Sequence, residues 1–291
     1  MSLSLDQLQA FVATVDAGSF SAAARRLGKA QSAVSTAVSN LEIDLGSSLF
    51  LRSGRYPVLT PAGERLLVEA RVILERCDHF RGIAKGLGDG LESRLILAID
   101  ELYPLENLGT ILDEFDRRFA NVELELFFPL MEDVSRMVLE EQADLGIMWR
   151  QEALPSALNF HALGWQQLKI VCSPWHALAQ QRVRVEELKR YRQLMVATRN
   201  DSQEKKRLRI AADVWWVESQ WVIVELVQRN LGWAFVPEHV VASALENGYL
   251  VSPPLEFGDH DWPVALELVW HKQRPLGKAA AWLKNAVIAA S

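Results

Sequence analysis

The chain has 291 residues, 49% of them hydrophobic and 23% charged, a composition normal for a soluble globular protein and long enough for one small and one large domain. No apolar run is long enough to span a bilayer. The start, with Asp6 and Asp16 and no basic segment, is not expected to be a signal peptide, so the expected location is the cytoplasm. Net charge is −6, yet residues 1–86 hold ten Lys/Arg against eight Asp/Glu, a net of +2 that leaves −8 for the remainder. A weakly basic head on an acidic body fits DNA binding by one end, with affinity resting on two heads per complex. Cys77 and Cys172 are far apart and read as reduced packing residues, too few for a zinc site of Cys ligands.

In chain order, Leu5, Leu8, Phe11, Val12 and Val15 predict an amphipathic first helix. Ser19 to Glu42 reads as two helices joined by a tight turn. Phe20, Ala23, Ala24 and Leu27 give the first an apolar face, and Gly28 stops it. The second starts near Gln31 and buries Val34, Val38 and Leu41. Its other face, Gln31, Ser32, Ser35, Thr36 and Ser39, is polar and uncharged. A solvated face is usually rich in Lys and Glu, whereas short amides and hydroxyls suit hydrogen bonding to base edges in a major groove. The pattern by itself fits both an ordinary helical hairpin and a helix-turn-helix. The residues after it favour the second: Leu45-Gly46, Leu49-Phe50, then the basic turn Arg52-Ser53-Gly54-Arg55-Tyr56 before Val58-Leu59-Thr60. This predicts a β-wing with two guanidinium groups for phosphates or a minor groove.

The segment resembles the DNA-binding end of LysR-type transcriptional regulators. The matching residues are Phe20-Ser21-x-Ala23-Ala24 and Leu27, Gln31 to Ser35, Leu41-Glu42, Leu45-Gly46, Leu49-Phe50, Arg52 and Thr60-x-Ala62-Gly63. Ser32 stands where the family usually has proline, and Thr36 where a longer Arg or Gln is frequent. On this reading Gln31, Ser32, Ser35 and Thr36 face bases. Lys29, Arg52 and Arg55 meet phosphates or a minor groove, and Ser21 and Ser39 complete the DNA-contacting set.

Thr60 caps a long helix with Pro61 at its first position, running to about Lys85. Leu66, Ala70, Ile73, Cys77, Phe80 and Ala84 alternate steps of four and three, a heptad seam that predicts a dimer contact. The resemblance implies an antiparallel linker-helix dimer and further a homotetramer, with RNA polymerase as a further partner class. Gly86 to Gly90 lacks the preceding strand and following Lys-Ser/Thr of a phosphate loop and reads as a hinge.

From Arg94 the texture becomes alternating strand and helix. Leu95 to Ile99 is a continuous apolar run, as in a buried parallel strand. A helix is expected over 105–119, a strand over 122–128, a helix over 133–142 and a strand over 145–149. A second set starts near Leu163, with strands at 169–172, 193–197 and 233–236 and a helix at 221–230. A returning strand at 264–270 and a closing helix at 276–290 complete it. Two α/β lobes crossed by two strands resemble the same family's effector domain, shaped like a periplasmic solute-binding protein. The expected fold class is thus α plus α/β. The expected domains are a winged helix-turn-helix over 1–59, a linker helix and hinge over 60–90, and an effector domain over 91–291. Within the last, lobe I is 91–161 and 267–291, and lobe II is 162–266.

No catalytic motif is visible, and neither a cofactor nor a resident metal is expected. Asp259-His260-Asp261 has no fourth ligand near it and reads as a solvated turn. Ligands of open α/β sheets bind beyond the carboxyl ends of the strands. Those ends carry Asp100, Glu101, Leu102 and Tyr103; Trp149; Thr198 and Arg199; and Glu218, Ser219 and Gln220. The resemblance implies that these stretches line the effector cleft. Asp100 and Glu101 admit two readings. They cap the next helix, or they favour an amine or amino acid, with an aromatic neutral molecule next, over a simple carboxylate. A rival reading of the chain is a solute-binding or enzymatic α/β protein whose N-terminal helices serve only to dimerise.

Overall fold

A computed structural model describes residues 3–51, 56–88, 90–152, 154–198, 208–256 and 262–291. The chain divides into two units, residues 1–86 and 87–291.

The first unit packs α1 (Leu5–Ala17), α2 (Phe20–Leu27), α3 (Gln31–Leu45) and the start of α4 (Pro61–Gly88) around one small core. Phe11, Ala23, Val34, Val38, Leu41 and Leu49 are fully buried there. Phe50 stands edge-on to Phe11 and Phe20, with centroids 5.6 and 5.7 Å away. Leu5, expected inside, is exposed, and Gln7, Ala10 and Thr14 share the buried face of α1 instead. Small side chains let the helices approach closely, so the core does not need every large apolar residue. Gly28 ends α2 in the left-handed conformation at φ 64°, where a Cβ would be strained. Glu42 accepts from the N–H groups of Leu49 (2.6 Å) and Phe50 (3.2 Å), which fixes the exit of α3 to the antiparallel Phe50–Leu59 bridge. Arg52 and Arg55 lie outside the described residues. Thr60 Oγ1 accepts from Gly63 N at 2.9 Å and donates to Ser48 O at 2.7 Å. A side chain at position 63 would collide with the Leu49 carbonyl, so glycine is needed for this close approach.

In the second unit an eight-stranded sheet runs in the order β2-β1-β3-β8-β4-β7-β5-β6. The strands are β1 (Arg94–Ile99), β2 (Glu123–Phe127), β3 (Leu145–Trp149), β4 (Leu158–Cys172), β5 (Gln193–Val196), β6 (Val214–Val217), β7 (Trp233–Pro237) and β8 (Trp262–His271). β1, β2 and β3 are mutually parallel, as are β5, β6 and β7, while β4 and β8 run antiparallel to their neighbours. Helices α5 (Leu105–Arg118), α6 (Glu132–Leu139) and α10 (Lys278–Ala289) serve lobe I. α8 (Gln220–Gln228) and α9 (Glu238–Glu246) serve lobe II, which also holds the one-turn α7 (Val185–Leu188). Burial on both faces explains the unbroken Leu-Ile-Leu-Ala-Ile run of β1.

Strand β4 is far longer than the expected 169–172. Its first half is mostly exposed, with Asn159 and His161 interrupting the apolar residues, so it lacks the unbroken apolar run of a core strand. The ladder with β8 shifts between Ala162 and Gly164, and Ala162 pairs with Glu267. Trp233 is fully buried in the core and donates its indole N–H to Leu188 O at 3.0 Å. Helix α4 runs on to Gly88, past the expected Lys85. Asp259, His260 and Asp261 lie outside the described residues. Among the described residues no helix is long and apolar enough to cross a membrane, and no cluster of His, Cys, Asp and Glu is placed to hold a metal ion.

Candidate functional site

On the head, α3 presents two opposed faces. Val34, Val38 and Leu41 are buried, and Gln31, Ser32, Ser35, Thr36 and Ser39 are all exposed. The helix begins at Gln31 even though Ser32 replaces the usual proline. Its N-cap is Ala30, with no side-chain cap, which leaves first-turn N–H groups free for a phosphate. Ser21 is exposed and accepts from Arg25 at 3.2 Å. Lys29, expected on a phosphate, instead pairs with Asp6 at 2.5 Å. Both partners are well exposed, so the pair is worth at most about 1 kcal/mol and a phosphate can replace Asp6.

The expected dimer seam needs correction at its start. Ala70 is buried in the head's own core, with Leu66 packed against it, because the first turns of α4 cover α1 to α3. Ala84, at the other end of the expected seam, is exposed. The free apolar stripe consists of Val72, Ile73, Cys77 and Phe80, which with Leu5 line a groove. Phe80 is 72% exposed.

In the second unit a mostly apolar cavity of about 30 Å³ lies between the lobes. Of the expected residues, Asp100, Leu102, Trp149 and Gln220 line it. Tyr103 does not; its ring is 3% exposed and packs in the core, where burial pushes its phenol pKa up. Thr198 is buried without lining the cavity. Glu218 is exposed and borders a separate groove with Phe127, Phe128 and Arg136. Arg199 lies outside the described residues. The sequence reading missed Met131, Leu168, Met195 and Phe235, all on the cavity wall; they look like ordinary core residues. It also missed Gln193, a fully buried amide whose Nε2 donates to Leu208 O (2.7 Å). Its Oε1 accepts from Ile210 N (2.8 Å) and Ala211 N (3.1 Å). The signal was there: one amide in an otherwise apolar strand, Gln193-Leu-Met-Val196.

The two acids have different tasks. Asp100, 1% exposed, accepts from Leu102 N at 2.9 Å and from Met131 N at 2.6 Å. It thereby holds Met131 at φ 51°, a conformation uncommon for a residue with a side chain. Burial pushes the Asp100 carboxyl up to about 6 against the backbone N–H groups that lower it. Neither acid caps the helix that follows them, since the N-cap of α5 is Pro104 with no side-chain bond. Glu101 reaches across to lobe II. Its Oε2 accepts from Gln220 N at 2.5 Å and its Oε1 from Ser219 Oγ at 3.2 Å. Ser219 is the N-cap of α8, so the Glu101 carboxylate sits at that helix's N-terminus. Burial raises the Glu101 pKa and these two hydrogen bonds oppose the rise. His239 Nε2 lies 3.1 Å from the Glu101 carbonyl, and burial lowers its pKa.

Residues 5–64 match the family model described as "Bacterial regulatory helix-turn-helix protein, lysR family", and residues 88–291 match "LysR substrate binding domain". The chain belongs to the LysR family. This LysR-type transcriptional regulator therefore carries a helix-turn-helix DNA-binding domain and an effector-binding substrate domain. It is 31% identical to the HTH-type transcriptional regulator AceR of Acinetobacter baumannii over 97% of this chain and 96% of that one. It is also 31% identical to the multiple virulence factor regulator MvfR of Pseudomonas aeruginosa over 84% and 74%. Full-length LysG from Corynebacterium glutamicum with bound effector Arg shares the fold at a TM-score of 0.52 and 20% identity, covering 99% and 98%. LysR-type regulators bind DNA and small-molecule effectors and are oligomeric.

Proposed function

We propose that this regulator reads its operator with the exposed face of α3. Gln31, Ser32, Ser35 and Thr36 face base edges. Ser21 and Ser39 stand beside them, and Lys29, Arg52 and Arg55 take phosphates or the minor groove. The observation that carries this is the helix itself. One face is fully buried, while the other is exposed, uncharged and begins at an uncapped N-terminus. The DNA-binding part is residues 1–59, the linker 60–90 and the effector part 91–291. Two heads are joined through the α4 stripe around Ile73, Cys77 and Phe80. Pairs associate further into a homotetramer, and RNA polymerase is a further partner. The protein works in the cytoplasm and is not an enzyme.

The effector occupies the interlobe cavity and is an amine or amino acid, with a neutral aromatic molecule next. The wall supports this: one carboxylate, two amides and apolar side chains, with no basic residue among the described lining. A cationic group there would interact favourably with ionised Asp100 in a medium of lower dielectric than water. Binding would bias the geometry of the paired heads.

Genomic fragments captured by the purified protein supply the operator, and two variants then test the reading. Gln31→Ala relaxes specificity at one base pair by about 1–3 kcal/mol. Arg52→Ala weakens binding to all sequences alike and lowers the salt slope by about one phosphate's worth. Wild-type affinity and specificity in both variants over a range of salt would remove α3 and the wing from the groove.

A further inference from the structure

The polar groups of the cavity wall differ in how much of their hydrogen-bonding capacity is in use. Gln193 is engaged at both ends of its amide. The donors at the N-terminus of α8 that meet lobe I, Gln220 N and Ser219 Oγ, are filled by Glu101. What is left is acceptor capacity. The Gln220 side chain is 5% exposed, lines the cavity, and its Oε1 is buried without a hydrogen-bond partner. A buried amide oxygen left unpaired is destabilising, so a ligand that donates to it recovers that loss. Asp100, on the same wall, accepts one backbone N–H at each oxygen and keeps lone-pair capacity on both.

An anionic ligand would need the opposite set. The N-terminus of a nine-residue helix with its Ser cap is the natural place for a carboxylate or phosphate. Here that place is held by a carboxylate of the protein's own chain, delivered from the other lobe. A second anion would have to displace Glu101 and lie close to Asp100.

We infer that Glu101 is a specificity-determining residue of the cleft: it acts as the resident anion of the α8 N-terminus, so that the cavity selects a ligand carrying an N–H donor for Gln220 Oε1 on an apolar body. Leu102, Met131, Trp149 and Phe235 enclose that body. This rests on the cavity being the effector pocket and adds how the pocket chooses.

Three probes of one size separate the alternatives: benzylamine, benzamide and benzoate. Each is titrated into the full-length protein, following the melting of the effector unit and, separately, operator affinity. Benzamide and benzylamine are expected to raise the wild-type melting temperature by about 2–4 °C at saturating ligand, and benzoate to leave it unchanged. Glu101→Ala frees the helix donors and gains a benzoate shift; Gln220→Leu loses the benzamide shift. Glu101→Met, which keeps the side chain's approximate length but removes its oxygen acceptors, replaces Glu101→Ala if the latter does not melt cooperatively. The inference is overturned if benzoate stabilises the wild type as much as benzamide does. It is equally overturned if neither Glu101 variant gains a benzoate response, or if no probe shifts any of the proteins. Probe-dependent melting with operator affinity unchanged supports the selectivity of Glu101 while counting against the cavity as the effector site.

Discussion

The head and the cleft build recognition in opposite ways. On the head, the candidate groups are the side chains that the core leaves over. Once Val34, Val38 and Leu41 are buried, helical geometry turns Gln31, Ser35 and Ser39 outward, and all of them come from one continuous helix. In the cleft, the polar groups are buried and tied to backbone far away in sequence. Asp100 holds Met131 and Glu101 holds Gln220, contacts that no local pattern announces. A surface made by one helix tolerates change residue by residue, whereas a cleft made by bridging acids couples recognition to the stability of the unit.

The largest effect expected on that contrast comes from the stripe of α4. Phe80→Glu places a charge on an exposed apolar surface, so folding of the head should be unaffected while the two heads separate. Operator affinity is expected to fall about 10²–10⁴-fold with the loss of joint binding. Light scattering that still shows the wild-type mass would sink the assignment of the stripe.

A second variant separates the units. Leu97, fully buried in β1, becomes Ala. The effector unit should lose about 2–5 kcal/mol, with the head's own transition unchanged. A common shift of both transitions would contradict the division into independently packed cores.

The third sharpens the contrast through pH. The folded pKa of Asp100 is raised from 3.8 to about 6, so the folded state binds its proton more tightly than the unfolded chain. The stabilisation is complete below about pH 3.8 and is lost as pH rises through about 6, roughly 3 kcal/mol for a shift of about two pH units. Urea denaturation of wild type and Asp100→Asn across pH 4 to 6 measures it. The wild type should lose stability relative to the variant as pH rises; parallel curves would show that Asp100 does not carry the difference. No comparable slope is expected from Gln31→Ala on the head, because that residue neither titrates nor packs in the core.

Most of the head was legible in its sequence. Periodicity placed three helices, Gly28 stopped one of them, and Thr60 with Pro61 opened the long one. The seam of α4 was legible only as a period. A heptad says that residues share a face and does not say what covers it, so the expected Leu66 and Ala70 proved to face the head's own core. In the effector unit the buried parallel strands were readable as apolar runs. The first half of β4 was not, because its side chains are mostly exposed, with Asn159 and His161 breaking the apolar run, and only pairing with β8 makes it a strand. Among the cleft residues, strand ends pointed to Asp100, Leu102, Trp149 and Gln220. Met131 and Phe235 are indistinguishable from core residues until the lobes are set side by side.

By itself the sequence determined what depends on neighbours a few residues apart: helix periods, caps, the polar face of α3, the family, and the presence of two acids after β1. Only the tertiary structure decided what those acids do. Asp100 is turned inward onto the backbone of a loop 31 residues away, and Glu101 outward onto a helix 119 residues away. Adjacent residues with the same chemistry diverge because side-chain direction and burial are set by the packing of the two lobes, and that packing is a property of the whole chain.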